Sequence, residues 1–175
     1  ETGIILSYRR RAALDKYTIG IDFGTDSVRA IVVDVKTGHV ISECTASYPR
    51  WAKGLYRHPD KNIFRQHPLD YLEAMTQCVS GALAALSAEA RRQIVGIGVD
   101  TTGSTPVAVD QNGVPLALLE EFSECEDAMF YLWKDHSAQE EADAINAAFS
   151  SAAVDYRKYQ GTYSAEWYWA KILHA

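Results

Sequence analysis

The sequence predicts an α/β fold in which a mixed sheet opens as an antiparallel meander and is flanked by helices. Three observations predict it. Residues from Ile19 to Val33 read as two apolar strands about the polar turn Gly24-Thr25-Asp26-Ser27, and His39 to Tyr48 reads as a third strand after the turn Lys36-Thr37-Gly38. From Pro68 onward, Leu69, Leu72, Met75, Val79, Leu83 and Leu86 recur at helical spacing, as one core-facing side of a helix. Ile94 to Asp100 is then a continuous apolar run, of the kind that suits a strand buried on both faces. Strand, helix and strand in succession on a sheet make an α/β architecture.

The remaining elements follow in order. Residues 1–15 show no period that joins them to the strand beginning near Tyr17, so they are expected to be a leader or non-native extension, with Arg9-Arg10-Arg11 a solvated tail. The domain proper is expected over 16–175. Pro49 to Pro68 reads as a long irregular loop rich in aromatic and basic residues, either functional or a surface excursion. A short strand, Val107 to Val109, is expected to close at the turn Asp110-Gln111-Asn112-Gly113. A helix is expected from about Ser137 to Phe149 with Ala138, Ala142, Ile145 and Phe149 on its buried side. Residues 155–161 are polar and tyrosine-rich. Ser164 then caps a last helix carrying Trp167, Trp169, Ile172 and Leu173. That helix runs into Ala175 and the chain starts at Glu1, so the sequence reads as a domain open at both ends.

At 175 residues, 47% hydrophobic and 23% charged, the chain has the composition of a soluble globular domain with a real core. Its net charge of −6 argues against a general nucleic-acid binder, which needs a basic face. No apolar run approaches a membrane span. Ile4-Ile5-Leu6 precedes its arginines, the wrong order for a secretory signal. Cys44, Cys78 and Cys125 are widely spaced and form no C-x-x-C pair, which suits reduced thiols and a cytoplasmic setting.

Chemistry concentrates at two strand ends. In the first turn, Gly24 lets a ligand approach the backbone. Thr25 and Ser27 offer hydroxyls, Asp22 can hold a hydrated Mg²⁺, and Arg29 adds a planar donor fork. The second strand end is Asp100-Thr101-Thr102-Gly103-Ser104. Ligands of α/β sheets bind at the carboxyl ends of strands, so the two loops are expected to border one cleft. Asp100 reads equally as a turn carboxylate or as a group near a metal. His136 reads as a structural hydrogen-bonder, and Glu166 as a helix-start acid or a ligand. The chain has neither a G-x-x-x-x-G-K-[ST] loop nor a G-x-G-x-x-G fingerprint.

The turn resembles the first phosphate loop of the actin, Hsp70 and sugar-kinase superfamily, which implies a ribonuclease H-like, actin-like ATPase domain. Four blocks narrow the likeness to the FGGY family of carbohydrate kinases: Gly20-Ile21-Asp22-Phe23-Gly24-Thr25-Asp26-Ser27-Val28-Arg29-Ala30, Tyr48-Pro49-Arg50-Trp51, Gly96 through Pro106, and Leu132-Trp133-Lys134-Asp135-His136. Within that family the pattern is similar to the members that phosphorylate L-ribulose to L-ribulose 5-phosphate in L-arabinose catabolism. The resemblance implies ATP and Mg²⁺ as cofactors, a small sugar as substrate, and a second, C-terminal domain as partner, with a homodimer allowed for the intact enzyme. It implies Asp22 at the metal; Gly24, Thr25, Asp26, Ser27 and Arg29 at the nucleotide phosphates; and Thr102, Gly103, Ser104, Trp133, Asp135 and Glu166 at the sugar. The indole of Trp133 would lie along the sugar's carbon chain. The general base would lie downstream of Ala175, so the chain as it stands is expected to be inactive. Xylulose or glycerol as substrate, or an actin- or Hsp70-like nucleotide switch, are the alternative readings.

Overall fold

The computed structural model describes residues 15–152, Lys158 and 161–175. The expected leader, apart from Asp15, and most of the tyrosine-rich stretch 155–161 lie outside them. β1 (Tyr17–Phe23) and β2 (Ser27–Asp34) form the predicted hairpin, and β3 (Val40–Ser47) completes the meander. β6 (Ile94–Thr101) adds to the other side of β1 in parallel, giving the order β3-β2-β1-β6. The mixed sheet is the one expected. No helix among the described residues is long and apolar enough to cross a membrane.

One face of this sheet carries the core. Ile19 and Ile21 of β1, Val28, Ala30 and Val32 of β2, and Ala46 of β3 alternate inward and are buried. They pack under α2 (Pro68–Ala84), whose first turn His67 caps by accepting from the Leu69 N–H at 3.1 Å. The expected stripe holds at its end, where Leu86 is buried and Val79 and Leu83 pack against the core, but not at Leu72. Ala74, Cys78 and Ala82 turn to the sheet, whereas Leu72 is exposed and Leu69, Met75, Val79 and Leu83 are only partly covered. Small residues win because helix and sheet approach so closely. The Ser42 hydroxyl donates to the Ala82 carbonyl at 2.7 Å, and a Cβ on Gly81 would meet the Cys44 Sγ at 2.4 Å.

Other expectations are corrected. β6 is an edge strand of this sheet, with Ile97 65% and Val99 61% exposed, because α2 covers β1, β2 and β3 and does not reach it. A short helix, α3 (Ala88–Arg92), capped by Ser87, precedes it. The strand expected at Val107–Val109 is a single bridge between Val109 and Pro115. The turn Asp110–Gly113 is built as predicted, with the Asp110 carboxylate accepting from Asn112 and Val114. The stretch 49–68 is largely ordered. It holds α1 (Pro49–Ala52), β4 (Arg57–His58) and β5 (Ile63–Gln66), and β5 pairs with β7 (Phe130–Tyr131) in a second, three-stranded sheet.

The last third forms a satellite core. α4 (Gln139–Ser151) buries Ala138 and Ala142 against Tyr163, Ala165 and Ala170, with Ile145 and Phe149 partly covered as the periodicity required. The final helix, α5 (Tyr168–His174), starts later than Ser164, which instead accepts from the Glu166 N–H at 3.2 Å. Its expected apolar face is also displaced. Trp169, Ile172 and Leu173 are exposed, and the buried positions are Ala170 and Lys171. All three cysteines are free thiols.

The Gly81–Cys44 approach sets a test of helix–sheet packing. Gly81→Ala raises helix propensity, yet it should destabilise the chain by about 1–2 kcal/mol through overpacking. Cys44→Ala added to it should recover most of that loss, read as urea midpoints. A stabilised Gly81→Ala variant would contradict the contact.

Candidate active site

The hairpin turn between β1 and β2 is held from four directions. Its backbone closes where the Gly24 N–H donates to the Ser27 carbonyl at 3.0 Å. The Tyr48 hydroxyl donates to the Gly24 carbonyl at 3.1 Å, and the Gln66 amide donates to the Thr25 carbonyl at 2.7 Å. Gln66 is oriented in turn by Tyr71, whose hydroxyl donates to its Oε1 at 2.6 Å. The Trp51 indole donates to the Asp26 carboxylate at 2.6 Å, and the Trp133 indole donates to the Thr25 hydroxyl at 3.1 Å. Burial pushes the hydroxyls of Tyr48 and Tyr71 well above the ordinary tyrosine range, so both remain neutral donors.

This geometry sorts the expected phosphate ligands. Thr25 accepts from Trp133 and keeps its own proton free to donate to a ligand oxygen. Asp26, also expected at the phosphates, uses one carboxylate oxygen to latch the turn to Trp51. The latch is itself braced. Trp51 is buried, with the Arg57 guanidinium 4.9 Å and the Lys134 ammonium 5.3 Å from its ring. The fully buried Asp70 accepts from the N–H groups of Arg50 and Trp51 at 3.1 and 3.0 Å, fixing the start of α1.

On the sheet face away from α2, the register aligns Arg29 with Asp22 across β1 and β2, and Asp22 with Asp100 across β1 and β6. All three are exposed. Gly20 and Gly98 are also register partners. Lacking side chains, they leave a hollow of about 320 Å³ beside the row. Two adjacent carboxylates suit Mg²⁺, which takes one or two protein carboxylates and fills its octahedron with water and phosphate oxygens. The donor set at Asp22 and Asp100 therefore fits the ion the sequence implied. No group of three or more His, Cys, Asp or Glu with metal-binding geometry occurs among the described residues.

The residues expected at a sugar fall into two groups. Trp133 is 40% exposed beside Thr25, and Ser104 and Gly103 follow the end of β6. Glu166 meets His136 at 2.8 Å, both partly open to solvent. Thr102 turns toward an apolar pocket of about 280 Å³ formed with Phe23, Tyr71, Leu72, Met75 and Phe130, its hydroxyl paired with that of Thr105 at 3.0 Å. Asp135 is corrected. It is completely buried, and its oxygens accept from the Phe64 N–H, the Ser137 N–H and hydroxyl, and the Arg65 guanidinium. No oxygen is left over for a sugar. Arg65 is 2% exposed and stacks 3.5 Å over the Tyr131 ring, so the ion pair ties β5 to the segment that carries Trp133.

Sequence reasoning passed over Gln66, Arg65 and Lys171. The first two sat in a stretch read as loop, where no periodicity marks a buried residue. Lys171 interrupts an apolar run, the one available signal. It is completely buried, and its ammonium donates to the carbonyls of Ser104, Leu132 and Trp133 at 2.8, 2.7 and 3.3 Å.

Comparison with known proteins agrees with these features. Residues 17–166 match the profile described as the FGGY family of carbohydrate kinases, N-terminal domain. Proteins named ribulokinase from Vibrio parahaemolyticus and Halalkalibacterium halodurans are 51% and 36% identical over 89% and 90% of this chain. The chain spans only 28% and 29% of those two proteins. Among solved structures, a xylulose kinase from Bifidobacterium adolescentis superposes with a TM-score of 0.60 at 18% identity, covering 88% of this chain and 28% of that one. A gluconate kinase from Lactobacillus acidophilus does so at 0.58 and 18%, covering 78% and 23%. These likenesses show the fold alone, the ribonuclease H-like, actin-like one.

The assignment of Asp135 is testable by stability. Asp135→Asn keeps the side-chain shape but leaves a buried guanidinium uncompensated, which should cost about 3–5 kcal/mol in urea unfolding. Wild-type stability combined with weakened sugar binding would return Asp135 to a ligand role.

Proposed function

This chain belongs to the FGGY family of carbohydrate kinases, and from that premise we propose that it is the N-terminal domain of an ATP-dependent kinase converting L-ribulose to L-ribulose 5-phosphate. The observation that carries this reading is the 3.1 Å bond from the Trp133 indole to the Thr25 hydroxyl. A sugar against the indole and a phosphate at the Thr25 turn would then be neighbours, as transfer between them requires. The two relatives named ribulokinase support the choice of sugar.

Phosphoryl transfer is largely positioning and charge neutralisation. Thr25 and Ser27 donate hydroxyl protons to phosphate oxygens, and Arg29 supplies a positive fork beside them. Asp22, with Asp100 alongside, would hold Mg²⁺, which would supply positive charge against the phosphate oxygens. Trp133 gives the apolar wall along the sugar, while Gly103 leaves room for it and Ser104 and Glu166 meet its hydroxyls. Thr102 lies one residue behind Gly103 and shapes that loop. The base that takes the sugar hydroxyl proton is a carboxylate outside residues 1–175. The chain is thus one part of a two-domain cytoplasmic enzyme of L-arabinose catabolism. Residues 16–175 contribute to its N-terminal domain.

The chain alone, mixed with L-ribulose and MgATP, should release no ADP above background. The full-length enzyme carrying it should turn over L-ribulose at roughly 1–100 s⁻¹, and faster than xylulose or glycerol in a sugar panel. Turnover by the isolated chain at such rates would sink the domain reading, and a full-length enzyme silent on every sugar would sink the kinase reading. In that enzyme, Asp22→Asn should lower kcat by on the order of 100-fold while changing the sugar KM much less. Equal loss in both would place Asp22 at the sugar instead.

A further inference from the structure

The three segments expected to meet at a sugar come from distant parts of the chain, and one buried cation joins them. Lys171 lies on α5, and its Nζ donates to the carbonyl of Ser104 after β6 and to those of Leu132 and Trp133 after β7. An ammonium has three N–H bonds, and here each finds a backbone carbonyl. Its side chain is completely buried although no carboxylate among the described residues pairs with it. Such a site is costly to build, since burial disfavours the charge unless every proton is bound.

We propose that Lys171 is the positioning residue of the sugar pocket, fixing the Ser104 backbone relative to the Trp133 indole by gathering three carbonyls onto one cation. The inference rests on the reading of Ser104 and Trp133 as sugar contacts and adds what sets the distance between them. Those two residues are 29 positions apart in sequence and share no hydrogen bond of their own among the described contacts. The separation of a polar backbone site from an apolar wall decides which polyol chain fits between, so Lys171 acts on specificity without touching substrate.

The charge state of Lys171 makes the device sensitive to pH. Burial pushes its ammonium down to about 8, against the pull of Asp135 and Glu166 and with the repulsion of Arg65. His136 faces the same group through its contact with Glu166. As pH rises through that value the amine keeps two donors for three carbonyls and loses its charge, so its grip on the Ser104 and Leu132–Trp133 segments weakens.

The test compares wild type, Lys171→Met and Lys171→Arg in the full-length enzyme carrying this chain. Lys171→Met should raise the KM for L-ribulose on the order of 10-fold or more, leave the KM for ATP within about threefold, and narrow the preference for L-ribulose over xylulose. Lys171→Arg, too large for the site, should not rescue it. Wild type should show its own rise in sugar KM near pH 8, absent in Lys171→Met. Equal losses for sugar and ATP, or an unchanged sugar KM, would overturn the proposal. Amide hydrogen exchange gives a readout that needs no activity: Thr105 and Lys134 should exchange faster in Lys171→Met than in wild type. If no sugar is phosphorylated, the kinase reading fails while exchange still decides whether Lys171 holds the two segments. If Lys171→Met does not fold, the wild-type pH profile decides, and a flat sugar KM from pH 7 to 9 overturns the proposal.

Discussion

Everything at this site depends on how the turn Gly24–Asp26 is held. A four-residue polar turn rich in Gly, Thr, Asp and Ser has many accessible conformations, and a phosphate cradle needs one. Tyr48, Gln66, Trp51 and Trp133 each contribute one side-chain hydrogen bond to it, reaching in from three segments. A net hydrogen bond is worth about 1 kcal/mol, of the same order as the entropy of fixing one residue's backbone. Four such bonds on three residues are enough to keep the turn in a single state before any ligand arrives. The small three-stranded sheet exists, in this light, to deliver Gln66 and to anchor the segment bearing Trp133.

The same logic divides the charges. Asp70, Asp135, Arg65 and Lys171 are completely or almost completely buried, and each is held by several partners, as the cost of burying a charge demands. They make structure. Asp22, Arg29 and Asp100 stand in one exposed row on the opposite sheet face beside two glycines that leave space. Charges that are lined up and accessible beside open space are free to meet a ligand, unlike the buried ones. Asp26 lies between the two classes, exposed yet bound to an indole.

Much of the fold was legible in the sequence because alternation within β1, β2 and β3 reports burial directly. Where reading failed, a tertiary distance had decided. The leucines of α2 have the right period for a core face, but the close approach at Gly81 and Ser42 puts Ala74, Cys78 and Ala82 deepest there. The apolar run of β6 looks doubly buried, yet burial depends on what packs on it, and α2 stops short. Residues 49–68 carry too few residues per strand to show a period, so their order comes from long-range partners such as Asp135. Asp135 itself has the residue type of a ligand, and only its contacts reveal that its oxygens are occupied.

By itself the sequence determined the local chemistry: strands from alternation, turns from glycine and aspartate, and hydroxyls, carboxylates and an indole at the family's positions. These are properties of neighbours in the chain, set by backbone geometry over a few residues. Tertiary structure alone decided which polar groups remain free. Whether Asp22 or Asp135 can reach a ligand, and whether Lys171 faces water or three carbonyls, depends on partners far away in sequence, such as Asp100 for Asp22 and Phe64 for Asp135. Burial and hydrogen-bond saturation are sums over space, and no short stretch of sequence contains them.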